Sequence, residues 1–152
     1  MFKMIKGIIF DWIGTLSAGS RGGVYPYSEK VLKYLKDKKI ELGLISIAVF
    51  GIEKRIMDIK NCNLAKYFTH IKVIEGIKLP EHYLECMERL NTNIKDTAII
   101  GDSMYQEIRV GNQLGCATYW VTKTGFDDAQ PGGSTGEPSF RIDTVEDLLN
   151  IL

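Results

Sequence analysis

Asp11 ends the apolar run Ile8-Ile9-Phe10, and Gly14-Thr15-Leu16 follows within a few residues. A strand-like run that stops on one carboxylate and then turns presents that carboxylate above the rim of a sheet. There it can act as a nucleophile or ligate a cation. Asp102 repeats the arrangement, because Thr97 to Ile100 is a second apolar run and Gly101-Asp102-Ser103 closes it. Ser46 ends a third, Leu42-Gly43-Leu44-Ile45. Three polar positions arriving at one rim are harder to reach by accident than any one of them alone.

The elements that must position these groups can be read from periodicity. Met4 to Phe10 reads as a buried strand, β-branched and nearly uncharged, as parallel-sheet strands are. Ser17 to Gly23 is a polar loop, and Pro26 opens a helix to about Lys38 with Val31, Leu32 and Leu35 on its apolar side. Ile40 to Ile47 is the second strand. Ile52, Ile56 and Ile59 mark a helix to about Cys62, and Asn63 to Phe68 adds a helical turn. Ile71 to Ile74 is a third strand, and Leu79-Pro80-Glu81 starts a helix carrying Tyr83, Met87 and Leu90. The strand Thr97 to Ile100 precedes a helix from about Met104 to Leu114, which Gly115 ends. Ala117 to Val121 is a fifth strand. Gly125 to Pro138 is a Gly-, Pro- and Ser-rich loop, either a surface loop or a partial lid. Phe140 to Ile142 and Val145 to Leu152 follow as a short strand and a closing helix, with Thr144 as N-cap.

Strict alternation of strand and helix predicts a single α/β domain over residues 1–152, a Rossmann-like three-layer sandwich around a central parallel sheet. Local pattern does not fix the strand order. Ligands in such folds bind beyond the carboxyl ends of the strands, where Asp11, Ser46 and Asp102 fall.

Composition narrows the partners. Nineteen basic residues balance nineteen acidic ones in 152, so the chain has no general attraction for nucleic acid or anionic membranes. No segment reaches membrane-spanning length, and Asp11 interrupts the apolar stretch that a signal peptide would need, which makes a cytoplasmic protein the expectation. Cys62, Cys86 and Cys116 lack zinc-site spacing and read as buried thiols. His70 and His82 have no matching partners.

The stretch from Asp11 to Leu16 resembles the first motif of the haloacid dehalogenase-like (HAD-like) hydrolases, usually Asp-x-Asp-Gly-Thr-Leu. The likeness runs almost end to end. Ser46 matches the second motif's hydroxyl. Lys78, in Lys78-Leu79-Pro80, matches the third motif's lysine in a shortened form. Gly101-Asp102-Ser103 with Glu107 matches the fourth motif, Glu107 standing where an Asp is usual. Gly111, Gly115 and Thr118-Tyr119-Trp120-Val121 continue the pattern. The resemblance implies a HAD-like core without a cap domain, since about ten residues separate Leu16 from the first helix.

It also implies roles. Asp11 would be the nucleophile, attacking phosphorus to give an aspartyl-phosphate. Mg²⁺ would be held by Asp11, Asp102 and the backbone carbonyl of Ile13, all oxygen donors suited to a hard cation. Lys78, Thr15 and Ser46 would hold the phosphoryl oxygens, and Lys78 would offset charge around the nucleophile. Ser103 and Glu107 would stand behind the metal ligands, Glu107 either reaching metal-bound water or pointing to solvent.

Ile13 breaks the pattern. The family's phosphatases carry an Asp there, which protonates the leaving oxygen and later activates water. Isoleucine does neither, and positioned acid–base catalysis is worth roughly 10²–10⁴ in rate. Dehalogenases and phosphonate hydrolases of the family also lack that Asp, but they draw on cap residues for which this chain has no room. Two readings follow. One is a Mg²⁺-dependent phosphatase with impaired leaving-group protonation, best on acyl or aryl phosphates, acting on a small phosphorylated molecule or an exposed phosphate of a larger substrate. The other is a catalytically weak or inactive relative that binds a phosphorylated ligand or a protein partner. An open, capless site also leaves room for a homo-oligomer to cover it.

Overall fold

The computed structural model describes residues 4–126 and 130–152. Six strands form one all-parallel sheet: β1 (Gly7–Phe10), β2 (Glu41–Ile47), β3 (His70–Ile74), β4 (Thr97–Gly101), β5 (Ala117–Val121) and β6 (Phe140–Ile142). Their spatial order is β3-β2-β1-β4-β5-β6. The helices are α1 (Ser28–Asp37), α2 (Ile52–Asn61), α3 (Pro80–Leu90), α4 (Arg109–Leu114) and α5 (Leu148–Ile151).

The period of two along β1 divides the core between the faces of the sheet. Ile8 and Phe10 pack with Val31, Leu32, Leu35 and Leu148 on one face. Ile9 points the other way, into Tyr83, Cys86, Met87 and Leu90 of α3 and Val110 of α4. Each fully buried side chain of this size contributes about 1.5–3 kcal/mol of transfer free energy. Both faces are covered, which explains why the central strands β1 and β4 are buried along their whole length and do not alternate with exposed residues.

Strand order places the site. The chain steps outward from β1 to β2 and β3, then returns to the far side of β1 as β4, so the connections diverge between β1 and β4. Such a switch point opens a crevice at the carboxyl ends of the strands. Phe10 pairs with Ile100, and the Asp11 N–H donates to the Ile100 carbonyl at 3.0 Å. Asp11 and Asp102, far apart in sequence, therefore leave adjacent strands side by side.

Several elements differ from expectation at their ends. β1 begins at Gly7, although Lys6 still donates to the Asp96 carbonyl and accepts from the Glu41 N–H. The expected helix from Met104 starts as a π-turn, Met104–Ile108, and becomes α-helical at Arg109. The Ile108 N–H reaches back five residues to the Ser103 carbonyl (3.3 Å), and this widening lays Glu107 over the end of β4. The closing helix divides into a 3-10 turn, Val145–Asp147, and α5; Thr144 caps it, its hydroxyl accepting from the Glu146 N–H. Cys86 and Cys116 are buried, but Cys62 is half-buried.

Between β1 and α1 the chain closes on itself through bridges from Ser17 to Ile13 and Val24 and a 3-10 turn at Gly19–Arg21. Five residues join β3 to α3. Neither connection holds an insert large enough for a cap among the described residues. Of the expected 125–138 loop, residues 127–129 lie outside the described residues. The part from Gly132 to Glu137 is tied to α4 by Asn112, whose amide donates to the carbonyls of Thr135 and Glu137. No helix among the described residues is long and apolar enough to cross a membrane.

Candidate active site

Asp11, Lys78, Asp102 and Glu107 meet at the β1–β4 switch point, and all four are at least nine-tenths buried. The Lys78 ammonium donates to Asp11 Oδ1 at 2.7 Å and to Glu107 Oε2 at 3.1 Å. Carboxylate oxygens of Asp11, Asp102 and Glu107 lie within 4.8 Å of one another, close enough to share one cation. Glu107 does not point to solvent: it is 1% exposed.

Charge in this pocket is unevenly shared. Burial alone would raise the Asp11 carboxyl, but the Lys78 cation and hydrogen bonds from Asp102, Lys78 and the Trp12 backbone hold it below its ordinary value. Asp11 is therefore ionised at neutral pH, as a nucleophile must be. Burial and then the Asp11 charge push Asp102 up to about 9 and Glu107 up to about 8. Lys78 is desolvated, yet the charges of Asp11 and Glu107 hold its proton more firmly than usual. Three carboxyl groups facing one ammonium can be ionised together only if further positive charge joins them. An all-oxygen donor set of this kind fits a hard divalent cation such as Mg²⁺.

Two glycines permit the approach. Gly14 has φ +85°, and a Cβ there would lie 2.3 Å from Asp102 Oδ2. A Cβ on Gly101 would lie 2.1 Å from Glu107 Oε1. The longer Glu107 side chain thus folds back onto bare main chain, where the Ser103 N–H also donates to its Oε1 (3.3 Å). Other contacts fix the ligands from behind. Trp120 Nε1–H donates to the Asp102 carbonyl (3.0 Å), and the Phe126 N–H donates to Asp102 Oδ2 (3.0 Å). Gln106 Oε1 accepts from the Lys78 N–H (2.9 Å) and pins the lysine's loop. Ser103 Oγ caps the π-turn by accepting from the Gln106 N–H.

The remaining expected residues have different surroundings. Thr15 is fully buried and its hydroxyl faces Asp11 Oδ2 at 3.4 Å. Ser46 stands at the end of β2, and its Oγ accepts from Arg55 of α2 at 2.8 Å. Ile13 turns its side chain against the Gly19 main chain; a Cβ on Gly19 would sit 2.8 Å from Ile13 Cδ1. Ile13 also lines a cleft of about 760 Å³ beside the acidic cluster, with Trp12, Arg21, Phe50, Arg55 and Phe126 among its walls. His82 has a structural task, its Nδ1 accepting from the Leu79 N–H at the start of α3 (2.9 Å).

Arg55, Gln106, Trp120 and Thr124 (donating to the Gly14 carbonyl at 2.7 Å) were not legible as site residues. For Arg55 a signal existed. It lies three residues after Ile52 and four before Ile59, on the apolar stripe of α2, where a cation is out of place unless something polar lies beneath it.

The sequence profile of the haloacid dehalogenase-like hydrolases matches residues 6–121, and the chain belongs to that family. No curated protein matches it significantly. Among solved structures it is similar to a HAD phosphatase from Thermococcus onnurineus (23% identity, TM-score 0.69), covering 85% of this chain and 58% of that one. A HAD-superfamily hydrolase from Ehrlichia chaffeensis is similar over 99% of this chain and 97% of its own (17% identity, TM-score 0.73). A 2-haloacid dehalogenase from Pseudomonas syringae pv. Tomato DC3000 is similar over 86% of this chain and 54% of its own (20% identity, TM-score 0.69). The chain therefore spans less than two thirds of the Thermococcus and Pseudomonas proteins and nearly all of the Ehrlichia one. At these identities the likeness is one of fold.

Proposed function

We propose that the protein is a phosphatase of this family that acts through an aspartyl-phosphate and lacks a positioned leaving-group acid. The buried contact of Lys78 with both Asp11 and Glu107, beside Asp102, supports this reading above all else. Mg²⁺ held by Asp11, Asp102 and the Ile13 carbonyl would supply the positive charge that the carboxylates are short of and draw charge from the transferring oxygens. Asp11, kept ionised by Lys78, attacks phosphorus; the new Oδ–P bond forms as the bond to the leaving oxygen breaks, and that oxygen departs with the electron pair. Lys78, Ser46 and Thr15 bind the phosphoryl oxygens, with Ser103 and Glu107 supporting the site from behind.

Ile13 offers no proton, so the departing oxygen takes one from solvent, which favours acyl and aryl over alkyl leaving groups. Water then cleaves the Asp11–phosphate bond without a positioned base, and this second step is slow. Residues 1–152 act as one core domain, and the substrate is a small phosphorylated molecule or an exposed phosphate on a larger one. The hydrocarbon packing of Ile13 against Gly19 favours a second reading, a relative that binds its ligand with little or no turnover.

The deciding experiment measures Mg²⁺-dependent phosphate release from acyl, aryl, sugar and nucleotide phosphates, with Asp11→Asn in parallel. Turnover of acyl and aryl substrates that Asp11→Asn loses is the expected result. Release no faster than the Asp11→Asn background on every class would leave the binding role as the better account.

A further inference from the structure

Arg55 is a cation with no counter-ion in salt-bridge range among the described residues. It is half-buried on the inner face of α2, yet it makes no ion pair among the described residues. The nearest candidate on its own helix, Asp58, is engaged by Lys54 at 3.3 Å. One nitrogen of the guanidinium is fully used: NH1 donates to Ser46 Oγ at 2.8 Å and to the Ile47 carbonyl at 3.1 Å. Its Nε and NH2 have no hydrogen-bond partner among the described residues, and the side chain lines the cleft beside Ile13. Burial outweighs the charges of Asp58 and Asp11 and weakens the guanidinium's hold on its proton, so no protein anion fully balances it.

A half-buried guanidinium that no carboxylate pairs gains most from an anion that reaches its open edge in the cleft. Its planar fork matches two oxygens of a phosphoryl group, and the anchored NH1 fixes the direction of that fork. We propose that Arg55 binds the phosphoryl group directly through its free Nε and NH2, from the β2 side of the rim and opposite Lys78. The inference rests on the phosphatase reading above and adds to it a phosphoryl-binding residue that holds substrate and product alike. In a site with no cap, this helix-borne arginine gives the phosphate a clamp from within the core domain. Charge on the Ile13 side of the site is thereby supplied by a cation that binds and gives up no proton.

The test is binding of inorganic phosphate to the full chain in excess Mg²⁺, by calorimetry, for wild type, Arg55→Ala, Arg55→Met, Ser46→Ala and the Ser46→Ala/Arg55→Met pair. Lys60→Ala, which removes an exposed cation of the same helix, serves as the charge control. Loss of a charge-assisted pair should weaken phosphate about 10- to 100-fold in both Arg55 variants, and added guanidinium should restore part of it to Arg55→Ala. Lys60→Ala should bind as wild type does. Arg55→Met keeps the apolar stem and serves if Arg55→Ala does not fold. Wild-type affinity in an Arg55 variant overturns the inference and leaves the phosphatase reading standing. Equal binding by Ser46→Ala and the double variant overturns it too, because Arg55 would then act through Ser46 alone. No phosphate binding by the wild type overturns both.

Discussion

The two sides of the strand-end rim are built on opposite plans. On the β1–β4 side, Asp11, Lys78, Asp102 and Glu107 are buried, mutually paired and held by Trp120, Phe126 and Gln106. On the β1–β2 side, Ile13 is hydrocarbon packed on a glycine, the cleft is open, and Arg55 reaches it with two nitrogens that make no hydrogen bond among the described residues. On the proposed reading, the first side supplies the nucleophile and the charge that supports it. The second has a cation that can meet an anion, and at Ile13 it has a side chain with no proton to give. The nucleophile and the acid position lie two residues apart on one loop after β1, yet their side chains have different surroundings, Asp11 held by Lys78 and Ile13 packed on Gly19.

That contrast can be broken from either side. The largest effect is expected from Asp11→Asn, which removes the nucleophile and one of the two carboxylates on Lys78. Phosphate release should fall to background, and no phosphoenzyme should be trapped by acid quench and mass spectrometry. Next comes Ile13→Asp, which places a carboxyl at the acid position. Alkyl phosphate turnover should rise by roughly 10²–10⁴-fold, while acetyl phosphate should change little in its first step. Equal gains in the first step of both substrates would mean that leaving-group protonation is not what Ile13 removes.

A smaller effect is expected from pH. In the metal-free protein Asp102 is pushed up to about 9 and Glu107 up to about 8, so both hold protons at pH 7. A carboxylic acid raised in the folded state binds more protons there than when unfolded, and stability falls as pH climbs from the ordinary carboxylate range toward those values. Metal-free melting temperature should therefore drop between pH 6 and pH 9. Mg²⁺ must displace the protons, so its affinity should rise over the same interval, by about tenfold per unit for each proton released. Calorimetry in buffers of different ionisation enthalpy would count those protons. A flat profile would show that the pocket does not exchange protons for cation.

The smallest effect separates packing from chemistry. Gly101→Ala puts a Cβ into the Glu107 carboxylate and should cost about 1–3 kcal/mol of stability by overpacking. It should weaken Mg²⁺ while leaving the β1–β2 side unchanged, read as an unaltered contribution of Arg55 to phosphate binding once Mg²⁺ is saturating.

Much of this was legible in the chain because its signals are local. β5 and β6 have the boundaries that their apolar runs predict, and Pro80 starts α3 where proline is tolerated. Strand order was not legible, since parallel strands joined by helices leave no mark of which neighbour each will take. The π-turn was hidden because Met104 to Leu114 has the composition of an ordinary helix; the turn goes with the fit of Glu107 over Gly101, a contact between residues on different elements. Asp11 and Asp102 stood out as carboxylates ending apolar runs. Gln106 and Trp120 did not, because they act through main-chain atoms, and local sequence does not show which main-chain atom a side chain will meet.

The account turns on a complete nucleophile side beside an empty acid position, and the leaving-group slope tests it most directly. Aryl phosphates spanning several units of phenol pKa, extended by acetyl and alkyl phosphates, would be turned over with Mg²⁺ by the wild type, with rates corrected for the Asp11→Asn background. A steep fall in the Asp11-dependent rate of the phosphoryl-transfer step as the leaving group becomes more basic is the predicted result. A flat dependence would mean that a proton donor is present after all, and no Asp11-dependent turnover of any member would contradict the nucleophilic site itself.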